Sequence, residues 1–139
     1  MSSLYTFSQD TLQGLKKFSF SSSRAKTMQA TVYAIDRKTY EIKKDEGIED
    51  IVESLEELED ELPDTSPRFV VLSYPVTTKD GRMSFPFVML YYLPPNASQN
   101  DRMLYAGATE LFKNKANVSR MLEVSESEDF EEIHDILSA

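Results

Sequence analysis

The chain has 139 residues, 40% of them hydrophobic, with eight Phe and seven Tyr; that suits one packed core in a single domain, residues 1–139, and is too apolar for a disordered chain. A net charge of −9 at pH 7 argues against nucleic acid, whose phosphates require clustered Lys and Arg, and against a purely electrostatic hold on a membrane. Cysteine is absent, which removes disulfides, thiolate nucleophiles and thiolate metal sites.

In chain order, Ser8 is placed to cap a first helix carrying Leu12, Leu15 and Phe18, and Ser19–Ser23 reads as a polar loop. Met28–Asp36 alternates, with Met28, Ala30, Val32 and Ala34 on one face, and Tyr40 and Ile42 resume a strand after the turn at Asp36–Thr39. After Gly47, the residues Ile48, Ile51, Val52, Leu55 and Leu58 follow a helical period. Phe69–Val76 and Met83–Leu93 are strands joined by an Asp80-Gly81 turn, and their long apolar runs predict the middle of a sheet covered on both faces. Ser98 opens a long helix to about Ala116, with Met103, Leu104, Gly107, Leu111 and Phe112 spanning one side. Met121–Val124 is a short strand, and Ser127 caps a last helix with Phe130, Ile133, Ile136 and Leu137. The order predicts an α/β (α+β) fold: a mixed sheet with helices on both faces, the long helix serving as a parallel crossover.

A search for catalytic chemistry finds little. His134 is the sole histidine and lies among acids, without the convergent partners of a triad. The run Glu56–Glu61 lacks the spacing of a calcium loop and reads as a solvated face. The four glycines are scattered, so no loop cradles a phosphate. Met83, Met89 and Met121 read as core filler, and Met103 as core or exposed. The start of the chain has no basic residues followed by an apolar run, and no apolar stretch reaches the roughly 20 residues that cross a bilayer. The expectation is a soluble cytosolic protein that binds rather than catalyses.

The segment Asn100-Asp101-Arg102-Met103-Leu104-Tyr105-Ala106-Gly107-Ala108 resembles the long-helix start of the ADF/cofilin-homology family. Asp60–Pro63, Pro67–Val71 with Ser73-Tyr74, and Asp80–Pro86 resemble its glia maturation factor branch, as does Gly107. The resemblance covers nearly the whole chain and implies that family's fold, with a central mixed sheet of five to six strands. It also implies an actin regulator that binds the actin-related protein 2/3 complex, inhibits nucleation and promotes debranching. Such a protein uses no cofactor or metal and binds filaments weakly or not at all. It would be a monomer in the cytoplasm, at actin patches or the cell cortex. The alternative is a conventional cofilin-like protein that binds monomers and severs filaments. Cofilins carry bases on the strand entering the long helix; here Ser84–Tyr92 has none. They usually carry two bases at the helix start, where this chain has Asn100 and Arg102.

Under this resemblance two surfaces are expected. The first joins an exposed N-terminal tail, Ser2, Ser3, Leu4 and Tyr5, to one face of the long helix, Arg102, Met103, Ala106, Gly107 and Glu110. Met103 would be the apolar anchor and Arg102 the charged contact, with Tyr105 in the core. The second is the hairpin tip, with Lys79, Asp80 and Arg82, on the side of the acidic last helix.

Overall fold

The computed structural model describes residues 4–23, 25–118 and 120–138. Its elements are β1 (Thr6–Phe7), α1 (Gln9–Ser22), β2 (Gln29–Ile35), β3 (Glu41–Lys44), α2 (Leu55–Glu61), β4 (Arg68–Ser73), β5 (Val76–Thr77), β6 (Met83–Ser84), β7 (Phe87–Tyr92), α3 (Gln99–Ala106), α4 (Thr109–Ala116), β8 (Met121–Val124) and α5 (Ser127–Ser138). Six strands form one sheet in the order β1-β3-β2-β4-β7-β8, and β5 and β6 pair separately. The outermost pairings, β1 with β3 and β7 with β8, are parallel; the others are antiparallel. The expected mixed sheet of the ADF/cofilin fold is therefore present, and α3 and α4 make the crossover to β8.

Successive residues of a strand point to opposite faces, and here both faces are covered. Ala30, Val32, Val70, Leu72, Val88 and Leu90 meet Leu58 of α2 and Phe130, Ile133 and Leu137 of α5. Tyr33, Ile35, Phe69, Val71, Met89 and Tyr91 face the other way, against Leu15 and Phe18 of α1 and Tyr105, Ala108, Phe112 and Ala116 of α3 and α4. The second layer is aromatic: Phe112 stacks on Phe69 at 4.9 Å and lies 5.3 Å from Tyr33. Each large side chain so buried contributes about 1.5–3 kcal/mol through the water it sheds.

Five expectations need correction. Ser19–Ser22 is helical, because the Ser21 and Ser23 hydroxyls turn back onto the Phe18 and Phe20 carbonyls and Ser22 is buried against the sheet. The second helix begins at Leu55, not Ile48. Val52 exchanges both backbone hydrogen bonds with Ala30, at 2.8 Å each, and Ser54 then caps the helix by accepting from the Glu57 N–H. The β4–β7 connection is two hairpins: the main ladder ends with the Tyr74 N–H donating to the Pro86 carbonyl, and β5–β6 forms a separate arm. Pro75 and Pro86 have no N–H with which to continue the ladder.

The long helix is broken between Ala106 and Thr109, where the Gly107 N–H reaches back to the carbonyls of Met103 and Tyr105. Its buried side is Asp101, Tyr105, Ala108, Phe112 and Ala116, and Met103 and Gly107 face outward. At α5 the capping side chain is Asp129, whose carboxylate accepts from the Ser125 and Glu126 N–H groups; Ser127 is the first helical residue and donates its hydroxyl to Glu59.

Candidate partner-binding surface

Pro94 and Pro95 end β7, and Ser98 starts α3 by accepting from the Asp101 N–H at 3.1 Å. Arg102 folds back over this loop: Nε donates to the Ala97 carbonyl at 3.2 Å, and Nη2 to those of Pro95 at 2.9 Å and Pro94 at 3.4 Å. The guanidinium thus staples the turn that aims the helix. Met103, one residue on, is 65% exposed.

Tyr5 brings the N-terminal segment to the same place. Its hydroxyl donates to the Leu104 carbonyl at 2.7 Å across 99 residues of sequence, and its ring lies 6.2 Å from that of Tyr40. Burial, and then the neighbouring Tyr40, hold this hydroxyl's pKa above the usual tyrosine value. A Cβ on Gly107 would stand 2.6 Å from the Tyr5 oxygen; the glycine is what makes room. β1 follows at once, with the Thr6 N–H donating to the Tyr40 carbonyl. Tyr5 is therefore docked, not part of an exposed tail, whereas Leu4 is 62% exposed. Ser2 and Ser3 lie outside the described residues.

Leu4, Tyr5, Arg37, Tyr40, Met103 and Leu104 line a groove of about 550 Å³. No motif in the sequence marks Arg37 for this groove. It comes from the β2–β3 turn and is held by Asp101, a buried carboxylate in the first turn of α3, at 2.6 Å. A carboxylate among the first helical residues is favoured there in any case, so the sequence gives no sign that it also binds a distant arginine. Ala106 and Glu110 are exposed on either side of the helix break. Tyr105 is in the core, and its hydroxyl accepts from the buried Ile35 N–H at 3.0 Å.

The second set lies on the β5–β6 arm, which packs through β5 on α5. Lys79 is exposed at its tip, Arg82 pairs with Asp80 at 3.3 Å, and the Thr78 hydroxyl donates to Asp80, lowering that carboxyl's pKa. Gly81 takes the left-handed backbone (φ 89°) that the turn requires. Met83 is not core filler: it and Phe85 are exposed on this arm. Met89 is fully buried, as expected, and Met121 half-buried. His134 is exposed on α5, with its Nδ1 2.9 Å from the Tyr74 hydroxyl. Among the described residues no group of three or more His, Asp or Glu is placed to hold a metal, and no helix is long and apolar enough to cross a membrane.

Six strands lie between two helical layers, with apolar side chains exposed at a helix start and on a hairpin arm. The family profile of cofilin/tropomyosin-type actin-binding proteins matches residues 5–137. Protein AIM7 of Saccharomyces cerevisiae is 40% identical, over 99% of this chain and 98% of its own. Human glia maturation factor beta is 34% identical, over 89% of this chain and 84% of its own. The solution structure of glia maturation factor from Caenorhabditis elegans superposes with a TM-score of 0.74 at 33% identity, covering 99% of this chain and 96% of that one. The chain belongs to the cofilin-type actin-binding family, in its glia maturation factor branch.

Proposed function

We propose that this protein binds the actin-related protein 2/3 complex, inhibits nucleation of new branches and promotes debranching of actin filaments, by binding alone and without cofactor or covalent chemistry. The observation that carries the reading is the pairing of exposed Leu4 and Met103 over one groove, in a chain of the glia maturation factor branch. An apolar ridge at a helix start suits the cleft of an actin-like subunit, and a few such anchors supply most of the binding energy. Ser2, Ser3, Leu4, Tyr5, Arg102, Met103, Ala106, Gly107 and Glu110 make up this first contact. Within it Met103 and Leu4 are the anchors, Tyr5 and Gly107 hold them together, and Arg102 fixes the loop and offers its remaining charge.

Lys79, Asp80 and Arg82, with exposed Met83 and Phe85 beside them, make a second contact with a neighbouring subunit. Debranching requires tighter binding to the detached complex than to the branch-bound one, since a ligand shifts an equilibrium only by its differential affinity. The net charge of −9 and the base-free stretch Ser84–Tyr92 disfavour the acidic side of a filament. The protein acts as a cytoplasmic monomer at actin patches or the cell cortex.

A paired pull-down tests this. Immobilised protein should capture purified actin-related protein 2/3 complex and leave filaments behind, and Met103→Ala should weaken capture by about tenfold or more. Capture of filaments instead would return the protein to cofilin-like severing. Charge reversal at Lys79 and Arg82 should lower debranching while affinity for the complex stays nearly intact; loss of both together would sink the two-contact arrangement.

A further inference from the structure

Most of the large apolar side chains that the described residues leave exposed already have a place. Leu4 and Met103 frame the first contact, and Met83 and Phe85 the second; Ile136 is only marginally exposed. Phe20 is different. It is 63% exposed near the end of α1, an element that neither contact uses. Beside it a groove of about 360 Å³ runs between α1 and α4, floored by Leu12, Leu15 and Ala116 and edged by Lys16 and Lys115. Lys16 and Lys17 stand four and three residues before Phe20, so both flank the ring on the helix surface.

The charge here runs against the rest of the molecule. In a chain of net charge −9, no carboxylate lines this groove. Among the described residues, no carboxylate lies within ion-pair distance of Lys16, Lys17, Lys113 or Lys115. Lys113 and Lys115 also complement the negative end of the α4 dipole, but Lys16 and Lys17 lie in the middle of α1 and have no such structural use.

We propose that the α1–α4 groove is a third interaction surface, which takes an acidic peptide segment carrying a large apolar side chain: the apolar group lies against Phe20 over Leu12 and Ala116, and the carboxylates meet Lys16, Lys17 and Lys115. A peptide is favoured over a membrane because the site is concave and narrow, fitting a side chain better than a lipid plane, and because approach to an anionic bilayer would bring the acidic remainder of the surface with it. The surface shares no residue with either contact proposed above and goes beyond that reading.

The test is an amide-resolved NMR titration of the full chain with a short peptide of glutamates around a central Leu–Phe pair. Shifts should map to Lys16–Phe20 and Lys115–Asn117 and should weaken as salt is added. Phe20→Ala and the double variant Lys16→Glu/Lys115→Glu should each weaken binding about fivefold or more, with the spectrum elsewhere unchanged. The versions with lysines for the glutamates, or with Ala–Ala at the centre, should bind less.

Absence of shifts at these residues, shifts confined to the Lys79–Arg82 arm, or binding by both variants as tight as that of the native chain would overturn the proposal. Anionic phosphatidylserine vesicles perturbing the same amides where the peptide does not would replace it with a lipid surface. Concentration-dependent sedimentation of the protein alone, abolished by Phe20→Ala, would replace it with self-association.

Discussion

The two faces of the α3–α4 pair come from the same eighteen residues, Gln99–Ala116, and do opposite things. Inward, Asp101, Tyr105, Ala108, Phe112 and Ala116 are buried. They are tied down by aromatic packing, by the Tyr105–Ile35 hydrogen bond and by the Asp101–Arg37 pair. Outward, Met103, Ala106, Gly107 and Glu110 are exposed. The difference teaches why this helix can present a bare methionine without collapsing around it: its position is fixed by groups other than the methionine, the inner face together with the Arg102 contacts to the preceding loop. Substitutions on the inner face should therefore register as lost stability, and those on the outer face as lost binding.

The sharpest division is expected at Phe112. Phe112→Ala removes the ring that Phe69, Tyr33 and Phe7 share and should cost about 3–5 kcal/mol in urea denaturation. A loss below 1 kcal/mol would mean the aromatic layer repacks and the inner face is not the anchor. Next comes Tyr105→Phe, which strands the buried Ile35 N–H and removes an acceptor for Arg68 Nη1. It should destabilise by about 1–3 kcal/mol.

The same residue gives a pH test. Burial raises the folded-state pKa of Tyr105, as it does that of Tyr33, above the ordinary value of 10.0. A raised folded pKa means that the stabilisation is complete below pH 10 and is lost as the pH climbs through the folded-state value, because the unfolded chain ionises first. Melting temperature should be flat across neutral pH and fall in strong alkali, and Tyr105→Phe should lessen that fall.

How far the sequence discloses this molecule can be judged residue by residue. Alternation in Met28–Asp36 and the long apolar runs of Phe69–Val76 and Met83–Leu93, with caps at Ser8 and Ser98, follow local rules, so the sheet, its mixed character and the element order are legible. The breaks are less so. Val52 leaves its helical period because of a ladder partner at Ala30, and β4 stops at Ser73 because Pro75 and Pro86 face the connection from both sides. Of the proposed contacts, Met103 comes from the segment that resembles the family's motif, and Leu4 from its place in the N-terminal segment. Arg37 and the Tyr5–Gly107 fit are not, since each joins residues far apart in sequence, and neither residue type announces a distant partner. Phe20 is not legible, because it falls within Ser19–Ser23, which reads as a polar loop, whereas α1 continues through Ser22.

At the boundary between the two faces, the effect of substitution should depend on its partner. Gly107 has φ −68°, which alanine adopts freely, so Gly107→Ala alone would gain up to about 1 kcal/mol of helix propensity. In the native background the new Cβ meets the Tyr5 hydroxyl at 2.6 Å and displaces it from Leu104, losing about 0.5–1.5 kcal/mol. The net should be near zero, with faster hydrogen exchange at the Thr6 amide, which pairs with Tyr40. In a Tyr5→Phe background the nearest remaining ring atom is 3.6 Å away, and Gly107→Ala should become stabilising. A double-mutant cycle without coupling would mean that the N-terminal segment does not depend on this contact.

The smallest stability effect is expected where the binding effect is greatest. Met103→Ala and Leu4→Ala remove side chains that water already surrounds, so each should shift unfolding by less than about 0.5 kcal/mol. If the outer face is a binding ridge, each should nevertheless weaken capture of the actin-related complex by tenfold or more, or about 1.4 kcal/mol, in the range of interface anchors. The two measurements separate the faces only when made on the same proteins. A variant that binds poorly and also melts early indicts the inner face and says nothing of contact. One that melts as the native chain does and fails to bind can have lost only what its surface offered. If Met103→Ala neither melts early nor binds less, the exposed methionine is incidental, and the contact must be sought on the β5–β6 arm.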